Sequence, residues 1–289
     1  MKRATEPASV TEPSFNRWRA FLSGSTTVRR CAEPSPGALL AEADSFLLME
    51  AATDAGLDGA VDCVFADPPY FLSNNGMTCH NGRRASVNKG QWDTSRGILE
   101  NHAFNRRWLE LCQRLLTPDG TLWVSGTQHV IYSVGFALQE LGFRILNAIT
   151  WEKPNPPPNL SCRCFTHSTE TILWAARSPE SKHTFNYPQM KAANDGRQMK
   201  DVWRLTAPGK GEKTFGKHPT QKPLALVRRC LEASTQPDDL VLDPFCGSAT
   251  TLLAALESGR RSIGLETDPQ HVALAEARIQ NFETTAPNA

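Results

Sequence analysis

The chain has 289 residues with 31 basic against 30 acidic side chains, so no global charge coats it for nucleic acid and any such surface must be local. That length suits one large α/β domain, or one with an inserted module, and buries a substantial core without disulfide staples. Several of the eight cysteines lie in apolar runs, as reduced thiols do. The N-terminus has no apolar signal core and no run reaches bilayer length. The expectation is a cytoplasmic protein without membrane association.

In chain order, residues 1–35 are rich in Pro, Ser, Thr and Arg and read as an extension with a short helix near 14–22. Leu39, Leu40 and Ala41 lead to Asp44, then a helical run from Phe46 to Ala52. Asp44 is either a helix N-cap or a ligand-edge acid at a strand end. Val61–Ala66 is a buried strand. Residues 71–97 form a long polar stretch with Arg83, Arg84 and Lys89, a length that is usually functional, and basic side chains of this kind meet phosphates or bases. Helices are predicted at 103–116 and 131–141, with strands at 121–125 and 143–151. This alternation argues for a mostly parallel α/β sheet.

The rhythm breaks at the proline-rich 153–159. An apolar strand at 171–175 follows, then an aperiodic stretch. From Lys191 to Lys217 seven basic residues, among them Arg197, Lys200 and Arg204, face three acidic ones. This reads as an inserted basic surface tracking a nucleic-acid backbone, or as a solvated linker. A helix at 224–233, a strand at 240–243, a helix at 252–258, a strand at 262–266 and a last helix at 269–282 complete the chain.

Two stretches carry chemistry. Asp67-Pro68-Pro69-Tyr70 follows the 61–66 strand, and its prolines force the chain out of the sheet at the carboxyl end, where open α/β sheets place ligands. An acid, rigid carbonyls and a ring suit a flat, amino-bearing base. Asp67 and the Pro68 carbonyl accept hydrogen bonds from an exocyclic amine, and Tyr70 stacks on the ring, with Trp151 as a candidate for its other face. The second stretch is Asp243-Pro244-Phe245-Cys246-Gly247-Ser248-Ala249-Thr250, a strand, a small-residue turn and a helix start. It is neither Gly-x-Gly-x-x-Gly nor a P-loop, so a pyrophosphate is poorly served. Asp243 for an ammonium, turn N–H groups for a carboxylate and Glu266 for ribose hydroxyls together describe S-adenosyl-L-methionine.

Asp67-Pro68-Pro69-Tyr70, then His218-Pro219-Thr220-Gln221-Lys222-Pro223, then the stretch from Asp243, in this order, resemble a β-class DNA adenine-N6 methyltransferase of the restriction–modification type. The resemblance spans residues 37–283. It implies a Rossmann-like methyltransferase fold with circularly permuted motif order. Residues 36–153 would be the catalytic half, 154–216 a target-recognition region and 217–283 the cofactor half, with 284–289 a tail. It further implies that Asp44 reaches the cofactor's adenine and that Thr220 lines its methionine end. Implied partners are double-stranded DNA, with single strands admissible, and a cognate restriction endonuclease; monomer and homodimer both stay open. Ala249 replaces a usual second glycine, which is harmless only where φ stays negative.

Asp-Pro-Pro-Tyr favours adenine N6 over cytosine N4, the same-class rival. A nicotinamide-dependent oxidoreductase is disfavoured by the turn sequence and by Asp243. A non-catalytic DNA-binding protein is disfavoured by the intact tetrapeptide. Cys162, Cys164 and His167 lack the fourth ligand and spacing of a zinc site, so no metal is expected.

Overall fold

The computed structural model describes residues 13–73, 77–80, 83–86, 93–159, 161–216 and 218–285. Lys89 lies outside the described residues. The sheet strands are β1 (Arg30–Ser35), β2 (Ala38–Glu42), β3 (Val61–Ala66), β6 (Leu116–Gly126), β7 (Arg144–Glu152), β8 (Thr169–Ala176), β9 (Val202–Arg204), β10 (Leu240–Asp243) and β11 (Arg261–Glu266), most of them short apolar runs between turn residues. Among the described residues they form one sheet in the order β1-β2-β11-β10-β3-β6-β8-β7-β9. Neighbours from β2 to β6 are parallel, whereas β1 and β8 run antiparallel to their partners. A separate hairpin, β4 (Met77–His80) and β5 (Arg83–Ser86), holds Arg83 and Arg84 on its second strand.

The helices are α1 (Ser14–Gly24), α2 (Ser45–Asp54), α3 (Ile98–Leu115), α4 (Ile131–Glu140), α5 (Tyr187–Ala192), α6 (Leu224–Ser234), α7 (Thr250–Glu257) and α8 (Pro269–Thr285). Strand residues alternate between two cores. Leu122, Val124, Leu240 and Leu242 join the cluster under α1 to α4, while Trp123 and Val241 join the opposite cluster with α6 and α7. Period-two alternation with both faces buried is how a sheet covered by helices on each side reads. Trp123 and Trp174, directly opposite across β6 and β8, stack at 4.8 Å and 3°.

Residues 13–35 belong to the domain: α1 buries Phe15, Trp18 and Leu22, spaced as one helical face, and β1 extends the sheet. Residues 154–216 contain β8, a strand between β6 and β7, and β9, which pairs with β7.

Consecutive strands leave β10 in one direction, toward β11, and leave β3 in the other, toward β6. The adjacent pair β10–β3 is therefore the topological switch point, whose carboxyl ends form a crevice for ligands. Asp243 ends β10, and Asp67 follows β3 directly.

Candidate active site

A cavity of about 310 Å³ opens at this switch point, lined among others by Asp44, Asp67, Phe245, Gly247, Thr220 and Glu266. Its floor is the turn between β10 and α7. Asp243 is buried there; its Oδ1 accepts the Phe245 N–H (2.9 Å). Burial pushes its carboxyl up to about 7, and the neighbouring Asp67 and Glu266 charges add to this against hydrogen bonds from Thr251 and Phe245. Glu266 ends β11 and accepts backbone N–H groups from Gly247 (2.8 Å), Thr267 (2.9 Å) and Asp268 (2.8 Å), which fix its carboxylate against the turn.

Gly247 has φ +53°, and a Cβ there would lie 3.0 Å from the His218 ring. Conformation and space both demand glycine. His218 stacks edge-on against His271 at 4.4 Å; burial, then His271, Lys222 and Arg278, push it down to about 3, so it is neutral. Ala249 adopts φ +61°, the left-handed region, at the N-cap of α7. The condition for a harmless alanine is therefore not met, and the turn carries about 1–2 kcal/mol of strain. Cys246, Ser248 and Thr250 are buried in the same turn, with Arg278 donating to the Ser248 carbonyl and to Thr250 Oγ1. Asp44 is the N-cap of α2, its Oδ1 accepting from Phe46 N–H (2.9 Å) and Leu47 N–H (3.1 Å), and it also lines the cavity.

The wall at β3 is a buried ionic network. The Tyr70 hydroxyl donates to Asp67 Oδ1 (2.8 Å) and lies 3.2 Å from Ser125 Oγ and 3.3 Å from Glu170 Oε2. Lys222 donates to Asp67 Oδ2 (2.5 Å), lies 3.8 Å from Glu170 Oε2 and sits 5.2 Å from the Tyr70 ring centre. Lys153 donates to Glu170 Oε1. Burial raises the Asp67 carboxyl above the ordinary range although Lys222 opposes it. For Glu170 burial works upward too, but Lys222 and Lys153 outweigh it and hold the carboxyl below its usual value.

Backbone after Tyr70 is organised by a residue outside both motifs. Asp93 Oδ1 accepts the N–H groups of Tyr70 (2.8 Å) and Phe71 (2.7 Å), and its Oδ2 accepts those of Leu72 (3.1 Å) and the Ser73 hydroxyl (2.9 Å). Phe71 has φ +58°, so the carboxylate secures a strained turn.

The expected site residues divide. Asp67, Pro69, Thr220, Asp243, Phe245, Cys246, Gly247, Ser248, Thr250, Glu266 and Asp44 share one cavity. Tyr70, 8% exposed, packs beside it with its hydroxyl on Asp67, and Pro68 is buried next to both. Trp151 does not offer a stacking face: it is 2% exposed in the core, its indole N–H bonds the Leu205 carbonyl (2.8 Å), and Lys153 lies 4.6 Å over its ring. Alternation along β7 turns this side chain inward. Arg197, Lys200 and Arg204 are exposed, with Arg204 3.7 Å from Glu152. Lys222, Glu170, Ser125 and Asp93 went unassigned in the sequence. Lys222, Glu170 and Ser125 fall within motif-like runs, which gave a faint signal; Asp93 gave none.

A mostly parallel sheet with this switch-point crevice, acids at the strand ends and a small-residue turn defines a Rossmann-like, S-adenosylmethionine-dependent methyltransferase fold. The donor set fits that cofactor in its acids, with buried carboxylates for a cation and Glu266 at the second strand end, while the turn N–H groups of Phe245, Cys246, Gly247 and Ala249 are bonded within the protein. A DNA methylase family model matches residues 61–277, and the chain belongs to that family. It is 51% identical over 248 residues to the type II methyltransferase M2.LlaDCHI of Lactococcus lactis subsp. cremoris, covering 86% of this chain and 91% of that one. It is 52% identical over 222 residues to M2.DpnII of Streptococcus pneumoniae, covering 76% and 83% respectively. Among solved structures, the M1.HpyAVI–SAM complex superposes with a TM-score of 0.61 at 29% identity, covering 83% of this chain and 99% of that one. The PvuII cytosine-N4-specific DNA methyltransferase shares the fold, with a TM-score of 0.65 at 19% identity over 86% and 92%.

Proposed function

We propose that this DNA methyltransferase transfers a methyl group to the N6 amine of an adenine flipped out of a short DNA sequence, within a restriction–modification system. The observation that carries the reading is the continuity of the cavity: the Asp67 carboxylate forms its wall while Asp243 and Glu266 form its floor. An acceptor for an exocyclic amine thus abuts the cofactor site. The cofactor is S-adenosyl-L-methionine, which supplies an electrophilic methyl group on a sulfonium.

In this reading Asp243 pairs with the cofactor's ammonium and Glu266 with its ribose hydroxyls. Asp67 and the Pro68 carbonyl accept the two N6 hydrogens and so aim the nitrogen lone pair at the methyl. Orientation of this kind dominates the catalysis, because the amine is nucleophilic enough once aligned. Flipping costs a few kcal/mol, and stacking on the Tyr70 ring offsets about 1–3 kcal/mol of it. Arg83, Arg84, Lys89, Arg197, Lys200 and Arg204 are assigned to the DNA backbone. The type II names of the relatives support a restriction–modification setting, with an endonuclease of the same site specificity as partner. Among the described residues no helix is long and apolar enough to cross a membrane.

The test is transfer from labelled S-adenosylmethionine to unmethylated genomic DNA, followed by nucleoside digestion and mapping. N6-methyladenine at one short motif supports the reading; N4-methylcytosine overturns the base assignment.

A further inference from the structure

The methyl-transfer chemistry uses Asp67, yet the buried charges behind it come from three other segments. Glu170 stands on β8 opposite Trp151 of β7, and its two oxygens are divided. Oε1 takes Lys153; Oε2 faces both the Tyr70 hydroxyl at 3.3 Å and Lys222 at 3.8 Å. Both of the groups that touch Asp67, Tyr70 on Oδ1 and Lys222 on Oδ2, are therefore also held by Glu170. Nothing in the reading above gives this carboxylate a task.

Methyl transfer creates one. The target nitrogen bonds the methyl carbon as the methyl–sulfur bond breaks, with that bond's electron pair staying on sulfur. The nitrogen, now cationic, sheds one proton. The nearest acceptor is Asp67, and its protonation would strip Lys222 of its first counter-ion in a fully buried setting. A buried ion that loses its partner is strongly unfavourable.

We propose that Glu170 is a positioning residue for methyl transfer: it holds Lys222 and the Tyr70 hydroxyl on Asp67, and it remains the counter-ion of Lys222 when Asp67 takes the proton. The proposal rests on the amine-methylation reading. The directions of titration agree with it. Burial lifts Asp67 toward accepting a proton, while Lys222 and Lys153 keep Glu170 ionised against the pull of burial. The charged and titratable groups facing the pair are Lys222, Tyr70, Lys153 and, across the cavity floor, Asp243; His218 beside Lys222 is neutral. The exchange also conserves charge: a cation and a carboxylate become a thioether and a carboxylic acid.

The test is the pH dependence of kcat at saturating cofactor and DNA, between about pH 5 and pH 9, for the full-length enzyme and two variants. Glu170→Gln removes a negative charge beside Asp67. Its kcat should fall about 10-fold or more with cofactor affinity within about twofold, and its acid limb should move to lower pH. Lys153→Met removes a positive charge from the other side of Glu170, so its acid limb should move to higher pH. Opposite displacements are a readout that a merely structural role does not produce. Unmoved acid limbs in both variants, or a Glu170→Gln defect confined to KM, would overturn the proposal. Should Glu170→Gln fail to fold, Lys153→Met, whose side chain is 25% exposed, decides alone by the direction of its shift. Rates are counted on whichever amine the wild-type enzyme modifies, so a cytosine product would sink the base assignment and leave this test intact.

Discussion

The two walls of the cavity are built in opposite ways. The cofactor floor comes almost entirely from one run, residues 243–266: a strand, a turn, a helix and the next strand, in which Gly247 N–H bonds Glu266 across 19 residues. The wall around Asp67 draws on β3, Ser125 of β6, Glu170 of β8, Lys222 before α6 and Asp93 before α3. The floor is local and held by backbone groups. The wall is non-local and held by side-chain charges, so it exists only after the whole sheet has closed. A binding function suits the first construction, because backbone N–H groups are fixed by the fold. A catalytic function suits the second, because charges from separate elements can be tuned against one another.

Changes in the wall should cost turnover, and changes in the floor should cost affinity. The largest expected effect is in the wall: Asp67→Ala should lower single-turnover methyl transfer about 10²–10³-fold. Asp93→Ala should follow. It strips four acceptor contacts from residues 70–73, lowering unfolding stability by about 2 kcal/mol or more in a denaturant titration, with turnover lost ahead of cofactor affinity. In the floor, Gly247→Ala places a Cβ against His218 at positive φ; calorimetry should show cofactor binding weakened about 10-fold, with turnover recovered at saturation.

The pH dependence sharpens the contrast. Because Asp243 sits at about 7 in the empty enzyme, it must lose a proton to pair with a cation. Cofactor affinity should fall as pH drops below 7, by up to about tenfold per pH unit. The sign reverses for the empty fold. There the native state binds this proton more tightly than the unfolded chain, so stability declines as pH rises from the ordinary carboxylate value of 3.8 to about 7. Melting curves with and without cofactor across this range check both. The smallest effect belongs to Ala249→Gly. Relief of the left-handed strain is opposed by loss of a buried methyl, about 0.8 kcal/mol, so stability should change by less than about 1 kcal/mol.

The same contrast explains what could be read from the sequence. Asp243, Gly247 and Glu266 were legible because strand, turn and strand-end positions are encoded within one contiguous stretch. Asp67 was legible because two prolines mark where the chain leaves the sheet. Asp93 was not, since nothing near it in sequence announces that its carboxylate folds back 20 residues to a turn. Trp151 misled because an aromatic at a strand end looks available until the alternation of β7 and the position of β8 turn it into the core. The helix near 14–22 was legible in the N-terminal segment, but that its Phe15, Trp18 and Leu22 face packs into the domain core was not. The strand at 171–175 was seen, but its place between β6 and β7 is a property of topology that no local pattern carries.

The most direct test of this division is to measure cofactor affinity and single-turnover rate side by side for Asp67→Ala and Glu266→Ala. The account predicts a double dissociation. Asp67→Ala should bind S-adenosylmethionine within about threefold of wild type and fail to transfer at saturation, whereas Glu266→Ala should bind about 10-fold or more weakly and transfer near normally once saturated. Parallel loss of both properties in both variants would contradict it, showing floor and wall to be one undivided unit.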